Sequence, residues 1–422
     1  MRIFVRMNTI PTTEPVRAAL LGTLIADAAG MGLHWIYSQG KIAQIVRANG
    51  GEAAFIAPDP KNYEGVPAFF AHPLKNAGDS TQYGEYLYLA LRATTSDGFD
   101  AGAFLREFQA HFGPGGTYVG YADTPMRETL FNVAHLGKVL HERAMAVDSS
   151  LEQAKQKDAA HYIARYFFEF DVDGLKTQVR TPLKLKEWSA SELAEADRIV
   201  DVLSEDIGAV GPDDDQLPAL TRSALLAHFY AGTELDAVTE RAVRVTNNND
   251  TAVAYAVFMA RVLRDLYEKQ ADLSGGEGNT SGDGGGESGD GAALRVSRQT
   301  LRSAIESHMS VLDEESADLI REALAYTKLD YRGATKRFGA ACHLNMGVPI
   351  VLHILMHTGS FAEAVNANTM ASGDNCGRAV LLGAISGVLY GIGGETGIPE
   401  DWIERTTILK RVGGTSGGSV VL

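Results

Sequence analysis

The sequence predicts a mainly α-helical protein built as one large domain. Two observations carry that expectation. Apolar residues recur at helical spacing along most of the chain, whereas alternating runs are few and no hairpin signal or internal repeat is seen. No linker separates two self-contained halves. With 422 residues, 45% hydrophobic and 22% charged, the chain has the composition of a globular protein able to bury a large core.

The helices follow in order. Thr13-Glu14-Pro15 reads as a helix start, with Thr13 as N-cap and proline in the first turn. The helix then runs over Val16–Ala29. Further helical patterns cover Gln82–Thr94, Ala101–Phe112, Arg127–Leu140, Ser150–Phe168, Ala190–Ile207, Leu220–Tyr230, Leu235–Val245 and Thr251–Gln270. The remainder are Ser297–Met309, Glu314–Ala325, Tyr331–Phe338, Val348–His357, Phe361–Asn368 and Gly377–Tyr390. Between them lies Ser274–Gly291 (SGGEGNTSGDGGGESGDG), half of it glycine. It has nothing to bury and reads as a flexible, disordered insertion in a surface loop. The expected organisation is a flexible tail over 1–14, a helical domain over 15–410 with this insertion, and a Gly/Ser-rich tail over 411–422.

Charge narrows the partners. Lys plus Arg is 38 and Asp plus Glu is 53, a formal net charge of −15. That balance disfavours nucleic acid and anionic membrane surfaces. No apolar run reaches the roughly 18 residues of a membrane span. Two cysteines cannot build a disulfide scaffold, so a reducing, cytoplasmic location is expected. Arg2 and Arg6 in an acid-free start are too little for a transit peptide.

Three segments carry chemistry. In Gly22–Tyr37 (GTLIADAAGMGLHWIY), Asp27 sits in a small apolar helix, where a bare charge is expensive and must be paired. His34 falls where that helix should end. In Ala77–Tyr83 (AGDSTQY), Asp79 or Ser80 can cap the helix that follows. In Ala371–Arg378 (ASGDNCGR), Asp374 or Asn375 can do the same. Gly383, Gly387 and Gly391 then form a small-residue stripe that lets another backbone pack close.

Together, in order and spacing, these segments resemble the ADP-ribosylglycohydrolase superfamily from about Val16 to Trp402. Its motifs read roughly G-D-A-L-G-x-P-x-E, T/S-D-D-T and G-G-D-x-D-T-x-A. Their counterparts here are Ala26–His34, Gly78–Thr81 and Ser372–Ala379. The stretches ADAAGMGLHWIY and GDNC are most similar to the crystallin-like branch, which includes jellyfish lens crystallins and a related selenoprotein. The resemblance implies an all-α fold, a single large orthogonal helical bundle of the ADP-ribosylglycohydrolase type. It also implies a cleft holding two Mg²⁺ and removal of ADP-ribose from protein side chains or related acceptors.

The departures fall on the metal ligands. The first-motif Glu becomes His34. The second-motif Thr, Asp, Asp become Gly78, Asp79 and Ser80. The third-motif Asp, Asp, Thr become Asp374, Cys376 and Gly377. Mg²⁺ wants hard oxygen ligands, so the expectation is one ion rather than two, on Asp79, Ser80 and Asp374. The alternatives are Zn²⁺ on His34, Cys376 and an Asp, or no metal, with Cys376 a thiolate activated by the helix N-terminus. The expected catalytic set is Asp79, Asp374, Cys376 and His34. Thr81 supports it and Asp27 is a supporting or structural residue. Tyr118, Tyr121, Arg127 and Asn375 are the substrate-binding candidates, and Thr246-Asn247 replaces a Thr-His of the family's pocket wall. The expected function is hydrolysis of an ADP-ribosyl glycosidic bond with a degenerate metal site, acting on an ADP-ribosylated protein or a small ADP-ribose conjugate. The alternative is a non-catalytic ADP-ribose or nucleotide binder, or a crystallin-like structural protein.

Other signals have simpler explanations. His353 and His357 share a helix face but lack the intervening Glu of a zinc protease. Cys342-His343 are adjacent, which is poor metal geometry. Asp213–Asp215 reads as a solvated loop, and Tyr162–Phe170 as core. Gly113–Gly116 has no Lys-Ser/Thr after it and is no nucleotide P-loop.

Overall fold

Side chains that accept backbone N–H bonds open many of the helices, so helix starts are written in the sequence. In the computed structural model, which describes residues 12–113, 116–130, 132–133, 168–172, 175–179, 210–275 and 295–412, α1 spans Glu14–Gly30 after Thr13 and α2 spans Gln39–Ala48. α3, Gln82–Arg92, is capped by Thr81, whose hydroxyl accepts from the Tyr83 N–H. α4, Ala101–Phe112, is capped by Asp100. The next helices are α5 (Ser223–Phe229), which continues a 3₁₀ turn over Leu217–Arg222, then α6 (Gly232–Arg244) and α7 (Asp250–Gly275). α8 (Arg298–His308), α9 (Glu314–Ala325) and α10 (Tyr331–Phe338) are capped by Ser297, Asp313 and Asp330. α11 (Leu344–His357), α12 (Phe361–Met370), α13 (Asn375–Tyr390), α14 (Glu400–Arg405) and α15 (Leu409–Val412) complete the order.

The all-α class holds, with two small exceptions. β1 (Thr94–Thr95) pairs with β2 (Gly98–Phe99), and β3 (Phe168–Val172) with β4 (Leu175–Val179), both antiparallel. The absence of a hairpin signal was therefore misleading, and Phe168–Phe170 is strand rather than helix end. α2, α14 and α15 were not anticipated. Residues 124–130 and 132–133 are helical, matching the start of the expected Arg127–Leu140 helix. The expected helices Ser150–Phe168 (up to its last residue) and Ala190–Ile207, the insertion beyond Gly275, residues 1–11 and residues 413–422 lie outside the described residues.

α1 and α13 form the centre. Each carries glycine at the crossing, and the backbones touch. A Cβ on Gly22 would sit 2.2 Å from the Gly383 carbonyl oxygen, one on Gly383 equally close to that of Gly22, and one on Gly387 2.2 Å from that of Ala18. Thr23 adds a hydroxyl bond to the Val380 carbonyl at 3.1 Å. Gly391 does something different. At φ 73° it ends α13 in the left-handed conformation that suits glycine. The main hydrophobic core runs through this pair, from Val16 to Leu409.

The first helix corrects the expectation that no apolar run is long enough for a membrane span. Glu14–Leu33 is long and apolar enough, by length and composition, to cross a membrane, yet 94% of that stretch is buried inside the protein. Its apolar surface is spent on α13 and its neighbours.

Candidate functional site

The three segments singled out from the sequence meet where α1 ends and α3 and α13 begin. α1 approaches its end with Asp27 wholly buried. Its Oδ2 accepts from the Ser80 hydroxyl at 2.6 Å and the Thr81 N–H at 2.9 Å, and its Oδ1 accepts from the Thr81 hydroxyl. The start of α13 closes the same junction. Asn375 Nδ2 donates to the Gly30 carbonyl at 2.8 Å, and the Cys376 thiol to the Asp27 carbonyl at 3.7 Å. These bonds satisfy carbonyls that a helix end would otherwise leave without partners.

Asp374 is the second buried carboxylate. As N-cap of α13 it accepts from the Gly377 N–H at 2.8 Å. The same Oδ1 accepts from His34 Nε2 at 2.9 Å, and Oδ2 accepts from the Tyr83 hydroxyl at 2.7 Å. His34 reaches it because two turn segments lock together: Trp35 N–H donates to the Gly373 carbonyl, and Gly373 N–H to the Ile36 carbonyl. The lock holds Trp35 at φ 62° and Ser372 at φ 72°, conformations that cost side-chain-bearing residues energy and need surrounding contacts to persist. Arg378, fully buried, supplies such contacts through the Asn368 side chain and the Ser372 carbonyl.

On its other side His34 Nδ1 meets His72 Nε2 at 2.7 Å. One shared hydrogen lies between two nitrogens, so the rings and Asp374 form a continuous hydrogen-bonded chain. It ends inside the protein: His72 Nδ1 is buried and has no partner. Burial first, then the charges of His34 and Lys75, push His72 well below its ordinary pKa, which keeps it neutral. Burial pushes Asp27 above the usual carboxylate range, against the bonds from Ser80 and Thr81. Burial acts in the same sense on Asp374, but the bonds from His34, Tyr83 and Gly377 outweigh it and hold that carboxyl below the usual range.

Two more carboxyl groups lie close enough to feel the same surroundings. Asp123, buried, takes the Tyr86 hydroxyl and the Met126 N–H on Oδ1, while its Oδ2 has no partner. Asp214 takes the Gln216 N–H and the Asn247 amide. Burial lifts each to about 6, and the Asp214 charge adds to the effect on Asp123. The charges of Asp374, Asp214 and Asp123 all act on the Cys342 thiol, which burial first pushes up.

The other expected site residues divide. Tyr118 is buried, with its hydroxyl on the Tyr121 carbonyl at 2.8 Å. The Tyr121 ring stands edge-on to Trp35 at 4.7 Å and to Phe69 at 5.7 Å, an aromatic rim beside His34. Arg127 is engaged by the Ala122 carbonyl and Thr124. Asp79 turns elsewhere: Oδ2 accepts from the Asn76 N–H at 2.8 Å and Oδ1 from the Thr407 hydroxyl at 2.8 Å. Cys376 is buried, and burial, then Asp27 and Asp374, push its thiol well above the ordinary value, the opposite direction to the expected thiolate.

The donor set does not match a Mg²⁺ centre, which needs lone pairs converging on one point. Donor hydrogens face both Asp374 oxygens and both Asp27 oxygens. Among the described residues no three His, Cys, Asp or Glu side chains gather as a metal would require.

Comparison with known proteins bears out the resemblance to the family. The family model described as ADP-ribosylglycohydrolase matches residues 9–413. Crystallin J1A of Tripedalia cystophora is 21% identical over 402 residues, covering 95% of this chain and 94% of its own length. Crystallin J1B of the same animal is 20% identical over 401 residues, with the same coverage. A solved structure titled "ADP-ribosylglycohydrolase-related protein complex" covers 94% of this chain and 93% of its own, at 14% identity and a TM-score of 0.44.

Proposed function

Because this chain belongs to the ADP-ribosylglycohydrolase family, we propose that the site around Asp374 and His34 receives an ADP-ribosyl group, carried on a protein or a small conjugate, and binds it without the cation-assisted cleavage the family fold is suited to. One observation carries this reading. The family's three motif segments are joined in one buried cluster, while two of the positions that would hold cations, His34 and Ser80, present hydrogen-bond donors instead. Binding supports remain: beside the buried Trp35, the half-buried Phe69 and Tyr121 rings offer aromatic surface, which suits a planar base.

A second reading, hydrolysis of the glycosidic bond, is favoured by a different observation. Asp374 is held charged whereas Asp123 and Asp214 sit at about 6. Carboxyl groups whose environments drive their pKa values apart are the raw material of acid–base catalysis. Asp374 would then stabilise positive charge developing on the ribose, and one of the other two would transfer the proton.

Titration calorimetry with ADP-ribose, combined with an assay for ADP-ribose released from an ADP-ribosylated protein, separates the readings. Binding without release supports the first. Release that disappears in Asp123→Asn or Asp214→Asn supports the second. Absence of both binding and release rejects the two together.

A further inference from the structure

We infer that this site works without a bound cation, because side-chain hydrogen-bond donors occupy three of the positions from which the family's ligands would hold one: His34, Ser80 and Cys376. His34 replaces the first-motif carboxylate with a ring whose Nε2 hydrogen points at Asp374 from 2.9 Å. Mg²⁺ on that oxygen would have to sit about 2.0–2.1 Å away, in competition with this hydrogen for its lone pairs. Tyr83 and Gly377 aim two more hydrogens at the same group.

The second motif has changed in the same direction. Ser80 spends its one hydrogen on Asp27 at 2.6 Å, which ties the loop to α1 rather than to an ion. Its neighbour Asp79 is held in its own turn and by Thr407. In the third motif the Cys376 thiol is buried and donates to the Asp27 carbonyl at 3.7 Å, which ties it to α1. The substitutions at His34 and Ser80 thus each place a donor on a buried carboxylate that remains.

The inference rests on the proposed function only for its choice of organic probe. The full chain, purified without added metal, is analysed for Mg, Mn and Zn and then melted in EDTA and in about 10 mM MgCl₂ or lower ZnCl₂. The expected result is no stoichiometric metal and a midpoint that differs by less than about 2 °C between conditions, since a ligand specific to the folded state must raise it. Stoichiometric metal, or a larger rise, overturns the inference. ADP-ribose affinity is measured in the same two buffers. Equality within about threefold supports the inference, and a larger loss in EDTA overturns it. Failure to bind ADP-ribose in either buffer rejects the proposed ligand and leaves the melting and metal analysis to decide the cation question.

Discussion

Asp27 and Asp374 are both wholly buried, each accepts three hydrogen bonds, and they sit on either side of one helix junction, yet burial wins at the first and loses at the second. The difference lies in the donors. Asp27 is served by two hydroxyls and one amide, all neutral. Asp374 is served by a histidine ring, a phenol and an amide, and His34 acts on it electrostatically as well as through its hydrogen bond. Hydrogen bonds with an ionised partner are roughly twice as strong as neutral ones. The chemistry of the donors, and not their number, sets the charge of a buried carboxylate here.

The largest expected effect comes from removing the charged member. Asp374→Ala leaves His34, Tyr83 and the Gly377 N–H facing nothing, and should cost about 3–5 kcal/mol, the usual loss when one member of a buried pair is deleted. Urea unfolding reads it as a fall in midpoint at constant slope. A loss below about 1 kcal/mol would show that Asp374 is not held as a charge.

pH dependence sharpens the comparison next. Asp123 and Asp214 have folded values of about 6 against 3.8 ordinarily. Each binds its proton more tightly in the folded chain, so each withdraws stability as pH rises from about 4 to about 6. Asp123→Asn should therefore shrink the stability difference between pH 4 and pH 7 by about 2–3 kcal/mol. Parallel curves for variant and parent would refute it. Asp374 acts with opposite sign: its contribution is present above the ordinary carboxylate value and is lost as pH falls through its lowered one.

Asp27→Asn should cost less, about 1–2 kcal/mol, because the amide keeps an acceptor for Thr81 and the partners are neutral. A penalty equal to that of Asp374→Asn, measured in the same buffer, would erase the contrast. The smallest effect is expected at Asp79→Asn, under about 1 kcal/mol, since the turn to Asn76 survives with an amide acceptor and only part of the group is buried. A cation-dependent loss at this position would instead return Asp79 to the role of ligand.

Much of this was legible in the sequence. The glycines of α1 and α13 could only mean a close backbone approach, and Asp27 inside an apolar helix had to find partners. Spacing along the chain pointed to the three segments acting together. What stayed hidden was the identity of contacts between residues far apart. His72 lies in a loop with no periodic signal, and nothing local links it to His34. Asp123 opens a helical stretch and reads as an ordinary cap. Arg378 follows the third motif, but its hold on Asn368 and Ser372 depends on how α12 meets α13. Asp79 shows the converse. Its motif position suggested a ligand, and its bond to Thr407 draws on a residue 328 positions away, which no spacing rule could supply.

The crossing of α1 and α13 also dictates when the molecule can acquire its site. Thr23 and Val380 are bonded across 357 positions. During synthesis at about 5–20 residues per second, α1 therefore waits on the order of half a minute for its partner. Throughout that interval one of the most apolar stretches of the chain is without the surface that buries it. Such exposure invites aggregation, so chaperone supply during translation should govern the yield of folded protein more than the stability of the finished fold does.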